Sequence, residues 1–367
     1  MDHLSGLPAE LLEEIVAGFC MACTPIERRC CYDPNFCDCI RKHPNDLTRI
    51  SALVSLCLTS RRLNGIATRH LYHYVHGPRW WLLVRTLLAR ADLAQLIRNM
   101  RLSEYNRSVN RDDCPAEVMA YYQSQAEIYL DTLPESDRGD ARGLDERTLC
   151  DGKINVQLEI LLSGLCPNLE TLEAVISWGA AFRFCVPGSM PHLRRLVLSH
   201  GDTEGGFELK TMAPLFRAAP NLASAVFFMA YHSCEEEELC EGLGATLPKL
   251  TSLDMHSGIL DNAGLKELLS ACPSLEDFRY EMCNRGLSYS DTSHFAIAES
   301  QGVFLTCAPN LRSLSLEVGI NDMWEDGQWD RGELDELGRV MAERGVRFVF
   351  KSDDPEDGIE DAIREDD

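Results

Sequence analysis

No stretch of this sequence approaches the roughly 18 consecutive apolar residues that a membrane-spanning helix requires. The start, Met1-Asp2-His3-Leu4-Ser5, lacks the basic region of a secretory signal, and Glu10, Glu13 and Glu14 interrupt the apolar residues that follow. A signal peptide is therefore not expected. Positive charge is scarce: 35 Lys and Arg against 58 Asp and Glu leave a net charge of −23. Such a balance repels phosphate backbones and anionic lipid, so neither nucleic acid nor a membrane surface is expected as a partner. Enzyme signatures are missing too. There is no P-loop, no Gly-x-Ser-x-Gly and no His-Glu-x-x-His, and Gly242-Leu-Gly244 has Leu247 where a third glycine would stand. The acidic run Glu235–Glu238 reads as a solvated loop or helix start, and a non-catalytic protein is expected. Cysteine, by contrast, is abundant, with 16 in 367 residues. Without a secretion signal these read as reduced thiols of the cytosol or nucleus. Several, including Cys166, Cys272 and Cys307, fall at apolar helix positions where a thiol packs as a small hydrophobe.

Two blocks dominate the N-terminus. In the first, Pro8 suits a helix start, and Leu7, Leu11, Leu12, Ile15 and Val16 recur at helical spacing opposite Glu10, Glu13 and Glu14. In the second, Ile50, Leu53, Val54, Cys57 and Leu58 form one amphipathic run, and Leu63, Ile66, Ala67, His70 and Leu71 form another. Three short helices bury little area, so such a unit gains from a partner that covers its leftover apolar face. The order of Leu7-Pro8 and the later Ser55-Leu-Cys-Leu-Thr-Ser60-Arg-Arg-Leu63 stretch resembles an F-box, the three-helix module that docks a protein onto the Skp adaptor of a cullin ubiquitin ligase. The resemblance covers about residues 4–76, with an insertion at 20–46. It implies that Leu7, Pro8, Leu11, Ile15, Leu53, Leu56, Cys57 and Leu63 form the adaptor-docking surface or its direct support. Leu12 and Leu58 are expected to be more internal.

From residue 166 onward a phrase repeats. It begins at Cys166-Pro-Asn-Leu, Met190-Pro-His-Leu, Ala219-Pro-Asn-Leu, Leu247-Pro-Lys-Leu, Cys272-Pro-Ser-Leu and Ala308-Pro-Asn-Leu. The prolines at 167, 191, 220, 248, 273 and 309 are spaced by 24, 29, 28, 25 and 36 residues. Each phrase ends in the period of two that a strand requires. Most are preceded by a helical pattern, at 158–166, 212–219, 239–247, 265–272 and 303–308. Proline ends each helix because the residue before it is pushed out of the α region. Helix, proline turn, strand and loop at this period resemble the leucine-rich repeat. The expected fold is therefore α/β: a small all-helical F-box module over 1–77, then a leucine-rich-repeat solenoid over 78–351 with a parallel sheet on its concave face. Trp80–Ile97 reads as a helix, Asn99–Ser103 as a degenerate first strand, and Leu334–Glu343 and Val346–Phe350 as the last helix and strand. An insertion at 105–150 contains a helical pattern at Ala116–Leu133, and the acidic tail 352–367 reads as solvated and disordered.

Candidate sites follow from these patterns. The insertion carries Cys20, Cys23, Cys30, Cys31, Cys37, Cys39 and His43, ligand types that zinc prefers, and Cys20-x-x-Cys23 has ligand spacing. A structural zinc and a plain loop of reduced thiols both remain open. Strand register places Thr171, Glu173 and Val175, then Arg195, Val197 and Ser199, then Ser224, Val226 and Phe228 on the displayed face. It continues with Ser252, Asp254 and His256, Asp277, Arg279 and Glu281, and Ser313, Ser315 and Glu317. Phe228 is either a binding anchor there or, in a shifted register, a core residue exchanged with Phe227. Aromatics in the loops, including Trp178, Phe182, Phe184, Tyr231, Tyr289, Trp324 and Trp329, either meet a client or plug their own loops. Phe228, His256, Arg279, Trp324 and Trp329 are the candidate client contacts. The resemblance implies a non-catalytic substrate receptor of a Skp–cullin–F-box ligase, holding an unidentified protein client in the cytoplasm or nucleus. A repeat scaffold without ligase association and a small-molecule-gated receptor are the alternatives.

Overall fold

The computed structural model describes residues 7–20, 23, 44–76, 80–102, 115–132, 135, 165–176, 185–200, 206–232, 243, 246–282, 295–318 and 330–352. Its fold is α/β, with parallel strands and flanking helices. The chain divides into two compact units, Met1–Arg195 and Leu196–Asp367.

The first unit opens with helix α1 (Ala9–Ala17), which starts where the carbonyl of Pro8 accepts the Leu12 N–H at 3.2 Å. Helices α2 (Pro44–Thr59) and α3 (Arg61–His73) follow. Between them Ser60 leaves helical geometry, and its hydroxyl accepts the Leu63 N–H at 3.2 Å. That contact satisfies one of the orphan donors at the start of α3. Val16, Leu53 and Ala67, one from each helix, meet in a core that Leu56, Cys57, Ile66 and Leu71 pack against. Leu12 and Leu63 are also buried. Leu58 is not internal as expected: it is 82% exposed. The inward stripe of α2 runs through Leu53, Leu56 and Cys57, which turns Val54 and Leu58 outward.

Strands β1 (Tyr74–His76), β2 (Asn99–Leu102) and β3 (Thr171–Ile176) pair in parallel, with Tyr74 opposite Asn99 and Asn99 opposite Thr171. The single helix expected over 80–97 is broken into α4 (Trp80–Ala89) and α5 (Ala91–Ala94). Arg90 at the break takes a non-helical φ of −137°, and its guanidinium grips Asp92 at 2.8 and 2.6 Å. Helix α6 (Ala116–Thr132) lies where the helical pattern of the 105–150 insertion placed it.

All six proline phrases form the same turn. The leucine N–H after each Pro-x pair bonds to the carbonyl before the proline, at 3.1–3.2 Å, from Leu169, Leu193, Leu222, Leu250, Leu275 and Leu311. Proline at the second position of such a turn presets the backbone angle it needs. Just before or at the start of five strands, one carbonyl takes two N–H groups of the following phrase. Arg98 O accepts from Glu170 and Thr171, Glu170 O from Arg194 and Arg195, and Ala223 O from Thr251 and Ser252. Thr251 O accepts from Glu276 and Asp277, and Glu276 O from Arg312 and Ser313. The polar residue after the proline ties its side chain to a backbone carbonyl in three of the described phrases: Asn168 to Gln95 O, Ser274 to Pro248 O and Asn310 to Pro273 O.

In the second unit the strand order is β4 (Arg195–His200), β6 (Ser224–Phe228), β8 (Ser252–Leu260), β9 (Asp277–Met282), β10 (Ser313–Val318) and β11 (Arg347–Ser352). From β6 to β11 neighbours pair in parallel. Short strands β5 (Phe207–Glu208) and β7 (Ala230–His232) extend the far end of β8. Helices α7 (Ala213–Ala218), α8 (Asn262–Ala271), α9 (Ile297–Cys307) and α10 (Arg331–Glu343) supply the apolar cover. Asp261 and Asp330 cap α8 and α10 by accepting the N–H groups of Gly264 and Glu333. Burial alternates along the strands: Ala225, Phe227, Leu253, Met255, Phe278, Tyr280, Leu314 and Leu316 face inward. The Tyr280 hydroxyl donates to Gly258 O and accepts from Leu260 N, where β8 slips register against β9. A Cβ at Gly258 would stand 3.1 Å from the Tyr280 ring, so glycine permits this close approach.

Leu12 and Leu58 make a direct test of the helical module. Leu12→Ala should cost about 2–5 kcal/mol, as for a fully buried leucine. Leu58→Ala should stay within about 0.5 kcal/mol, as for a surface change. Urea unfolding of both variants checks the contrast, and equal losses would mean that the face of α2 is assigned wrongly.

Candidate functional site

Three features of the described residues carry chemistry or contact potential. The first is an exposed apolar surface on the helical module. Leu11, Ile15 and Phe19 recur every four residues along α1 and just past its end, so they lie on one side. Val54 and Leu58 repeat the spacing on α2. These five account for all but Ile128 among the large apolar side chains that are exposed in the described residues. Of the residues expected at an adaptor surface, Leu11 and Ile15 are exposed at 46% and 42%. Pro8 is also exposed, while Leu7, Leu56 and Cys57 are half-buried. Leu53 and Leu63 are buried and support the others from within. Phe19, Val54 and Leu58 were not singled out by sequence, because helical spacing alone does not say which edge of an apolar stripe faces the core.

The second feature is a cluster of Cys20, Cys23, His70 and His73, whose candidate ligand atoms all lie within 4.8 Å of one another. Cys20 follows the last turn of α1, where its N–H bonds to Ala17 O. The two histidines sit three apart on the last turn of α3, so they share a face. The Cys23 thiol is 3.5 Å from His70 Nδ1 and 3.4 Å from His73 Nδ1. The Cys20 thiol is 3.7 Å from His73 Nδ1. The other ring nitrogen of His70 points away, 3.0 Å from a Glu13 carboxylate oxygen. Burial, followed by the proximity of His70 and Arg98, lowers the His73 pKa. Burial and the neighbouring Cys20 push the Cys23 thiol up to about 11. Two sulfurs and two imidazole nitrogens at this spacing could hold a metal ion. Of the expected ligands, only Cys20 and Cys23 fall within this cluster. Cys30, Cys31, Cys37, Cys39 and His43 lie outside the described residues. His70 was read from sequence as one position of an apolar stripe, and His73 was not singled out.

The third feature lies in the second unit, on the side of the strands opposite the buried row of Phe227, Met255 and Tyr280. Phe227 is in the core and Phe228 is partly exposed, so the register is unshifted. The Phe228 ring stacks on His256 at a centroid distance of 4.7 Å. His256, expected on the displayed face, is only 2% exposed, because Phe228 and two carboxylates enclose it. Ser199 is likewise buried rather than displayed. His256 Nδ1 lies 2.7 Å from Glu281 and Nε2 lies 3.0 Å from Asp254. Arg279 contacts Asp254 at 3.9 Å and binds Glu317 at 2.7 Å. Thus Phe228, His256 and Arg279 form one local network. Trp324 and Trp329 lie outside the described residues, as do Trp178, Phe182, Phe184 and Tyr289.

No protein-family model matches this chain, and no curated protein sequence matches it either.

Burial alone would lower the pKa of His256, but the hydrogen bonds and charges of Asp254 and Glu281 outweigh it and raise the value above 6.5. A raised folded-state value means that the native protein holds the proton more tightly than the unfolded chain. The resulting stability is complete below the unfolded value and is lost as pH rises through the folded one. The stability advantage of the native protein over a His256→Gln variant should therefore be full below the unfolded value of about 6.5 and shrink as pH rises above it. Urea midpoints on both sides of that value test this, and an advantage that grows with pH would mean that the imidazole is neutral in the fold.

Proposed function

We propose that this chain is a non-catalytic receptor whose N-terminal module is an F-box that docks on a Skp adaptor and, through it, on a cullin ubiquitin ligase. The repeat strands would hold a protein client. The observation that carries this reading is the concentration of exposed apolar side chains on α1 and α2, at Leu11, Ile15, Phe19, Val54 and Leu58. A three-helix unit with a core this small leaves apolar area in water, and a partner helix or loop seated on it would remove that area. The order of the helices, with Pro8 at the start and Ser60 capping the third, agrees with the F-box resemblance.

The repeat part supports the client side of the reading. The proline turns and parallel strands suit a leucine-rich-repeat array, in which one face is covered by helices and the other is free to bind. On the displayed face Phe228 is a rigid aromatic held flat on His256, Asp254 and Glu281 flank that imidazole, and Arg279 bridges Asp254 and Glu317. A client with an apolar anchor and basic flanks fits this chemistry, since an aromatic contact holds a complex and complementary charge speeds encounter. No described helix is long and apolar enough to cross a membrane, and a cytoplasmic or nuclear setting accords with the ligase role.

Binding to purified Skp adaptor tests the proposal. The native chain should bind, and a Leu11→Ala, Ile15→Ala, Leu58→Ala variant should bind at least 10-fold more weakly, on the order of one hot-spot contact. Its melting temperature should change little, because the three side chains are exposed. No binding by the native chain would favour a repeat scaffold without ligase association. Undiminished binding by the variant would place the docking surface elsewhere.

A further inference from the structure

We propose that Cys20, Cys23, His70 and His73 form a tetrahedral zinc site that clasps the end of α1 to the end of α3. The ligand set is closed, with two thiolates and two imidazoles, which is the composition of a structural rather than a catalytic zinc. With ordinary zinc–sulfur and zinc–nitrogen bond lengths, a tetrahedral site has sulfur-to-nitrogen edges of about 3.6 Å. Three of the four such edges here are 3.4, 3.5 and 3.7 Å, and the fourth is within 4.8 Å. Two thiolates, two neutral imidazoles and a divalent ion sum to zero charge, which suits the partly buried position.

A second observation points the same way. His70 is buried, and its Nε2 faces the Glu13 carboxylate at 3.0 Å while its Nδ1 faces Cys23. Donation of the Nε2 proton to Glu13 leaves the Nδ1 lone pair directed at the cluster. A carboxylate behind a ligating imidazole is the usual means of fixing its tautomer and orientation. Glu13 lies on α1 and His70 on α3, so the supporting contact joins the same two helices as the ligands.

The placement gives the ion a structural task. Cys23 and His70 are 47 residues apart in sequence, and Cys20 and Cys23 are the first two cysteines of the cysteine-rich insertion. A metal that ties its root to α3 would hold α1 against the module independently of what the insertion does. Closure of so long a stretch adds stability by restricting the unfolded chain. The surface of α1 that carries Leu11 and Ile15 would be held in position by the same clasp.

The test uses the full chain purified without chelator, with zinc counted by elemental mass spectrometry. About one zinc per chain should be found, and cobalt should replace it with the intense visible absorption of a tetrahedral two-thiolate site. A Cys20→Ser, Cys23→Ser variant should lose the ion, and a Cys30→Ser, Cys31→Ser, Cys37→Ser, Cys39→Ser variant should keep it. Because the first variant could fail to fold, Glu13→Ala supplies a milder measure. It leaves all four ligands in place and should weaken zinc affinity about 10–100-fold in competition with a chelator. Native protein that stays metal-free after zinc reconstitution would overturn the proposal. So would zinc that is retained without Cys20 and Cys23, or zinc lost only with the four insertion cysteines. Unchanged affinity in Glu13→Ala would remove the role given to Glu13, and an octahedral cobalt spectrum would remove the ligand set.

Discussion

One backbone carbonyl shared between two N–H groups recurs at five strand starts among the described residues, and the register of those strands depends on it. Arg98, Glu170, Ala223, Thr251 and Glu276 each accept such a pair. The bond fixes where the next strand starts, and parallel pairing follows residue for residue, as from Asp277 to Ser313 to Arg347. With starts aligned, alternate side chains of neighbouring strands fall in rows. One set of rows is apolar and lies under helices; the other is polar and remains displayed. The proline is the economical residue for this task. It stops the preceding helix and presets the turn that delivers the carbonyl.

The rows explain how chemistry accumulates on the displayed side without a dedicated loop. Phe228, His256 and Glu281 come from three successive parallel strands, and Arg279 and Glu317 span the next pair. Each strand contributes only two or three polar residues, yet in register they form a chain of opposite charges around a stacked aromatic. The covered side has no such demand. Cys166 and Cys272 stand before prolines as small core residues, and burial pushes both thiols up to about 12, which leaves them unreactive.

Much of this was legible in the sequence because it depends on local signals. Proline spacing located all six turns, and a period of two placed Phe227 inside and Phe228 outside, although Ser199 and His256, expected on the displayed face, are buried. Residues whose role depends on a distant partner were harder to read. His70 occupies a helical position that looks apolar by spacing, and its meaning comes from Cys23 and Glu13, far away in the chain. The available signal was the pair His70-x-x-His73 at a helix end, matched in spacing to Cys20-x-x-Cys23. Leu58 was misplaced because an amphipathic stripe on a short helix has two candidate edges, and only packing against α1 and α3 selects one. The break at Arg90 carries no glycine or proline, and its pairing with Asp92 is a contact that helix propensity does not anticipate.

We propose that the exposed apolar side chains of α1 and α2 are what the adaptor covers, and that the repeat strands do not meet it. Hydrogen exchange read by mass spectrometry, with and without Skp adaptor, tests it most directly. Adaptor binding should add protection in peptides covering residues 9–19 and 50–59 and cause no change in peptides from β6, β8, β9 and β10. Protection confined to those strands, or none anywhere at saturating adaptor, would contradict it.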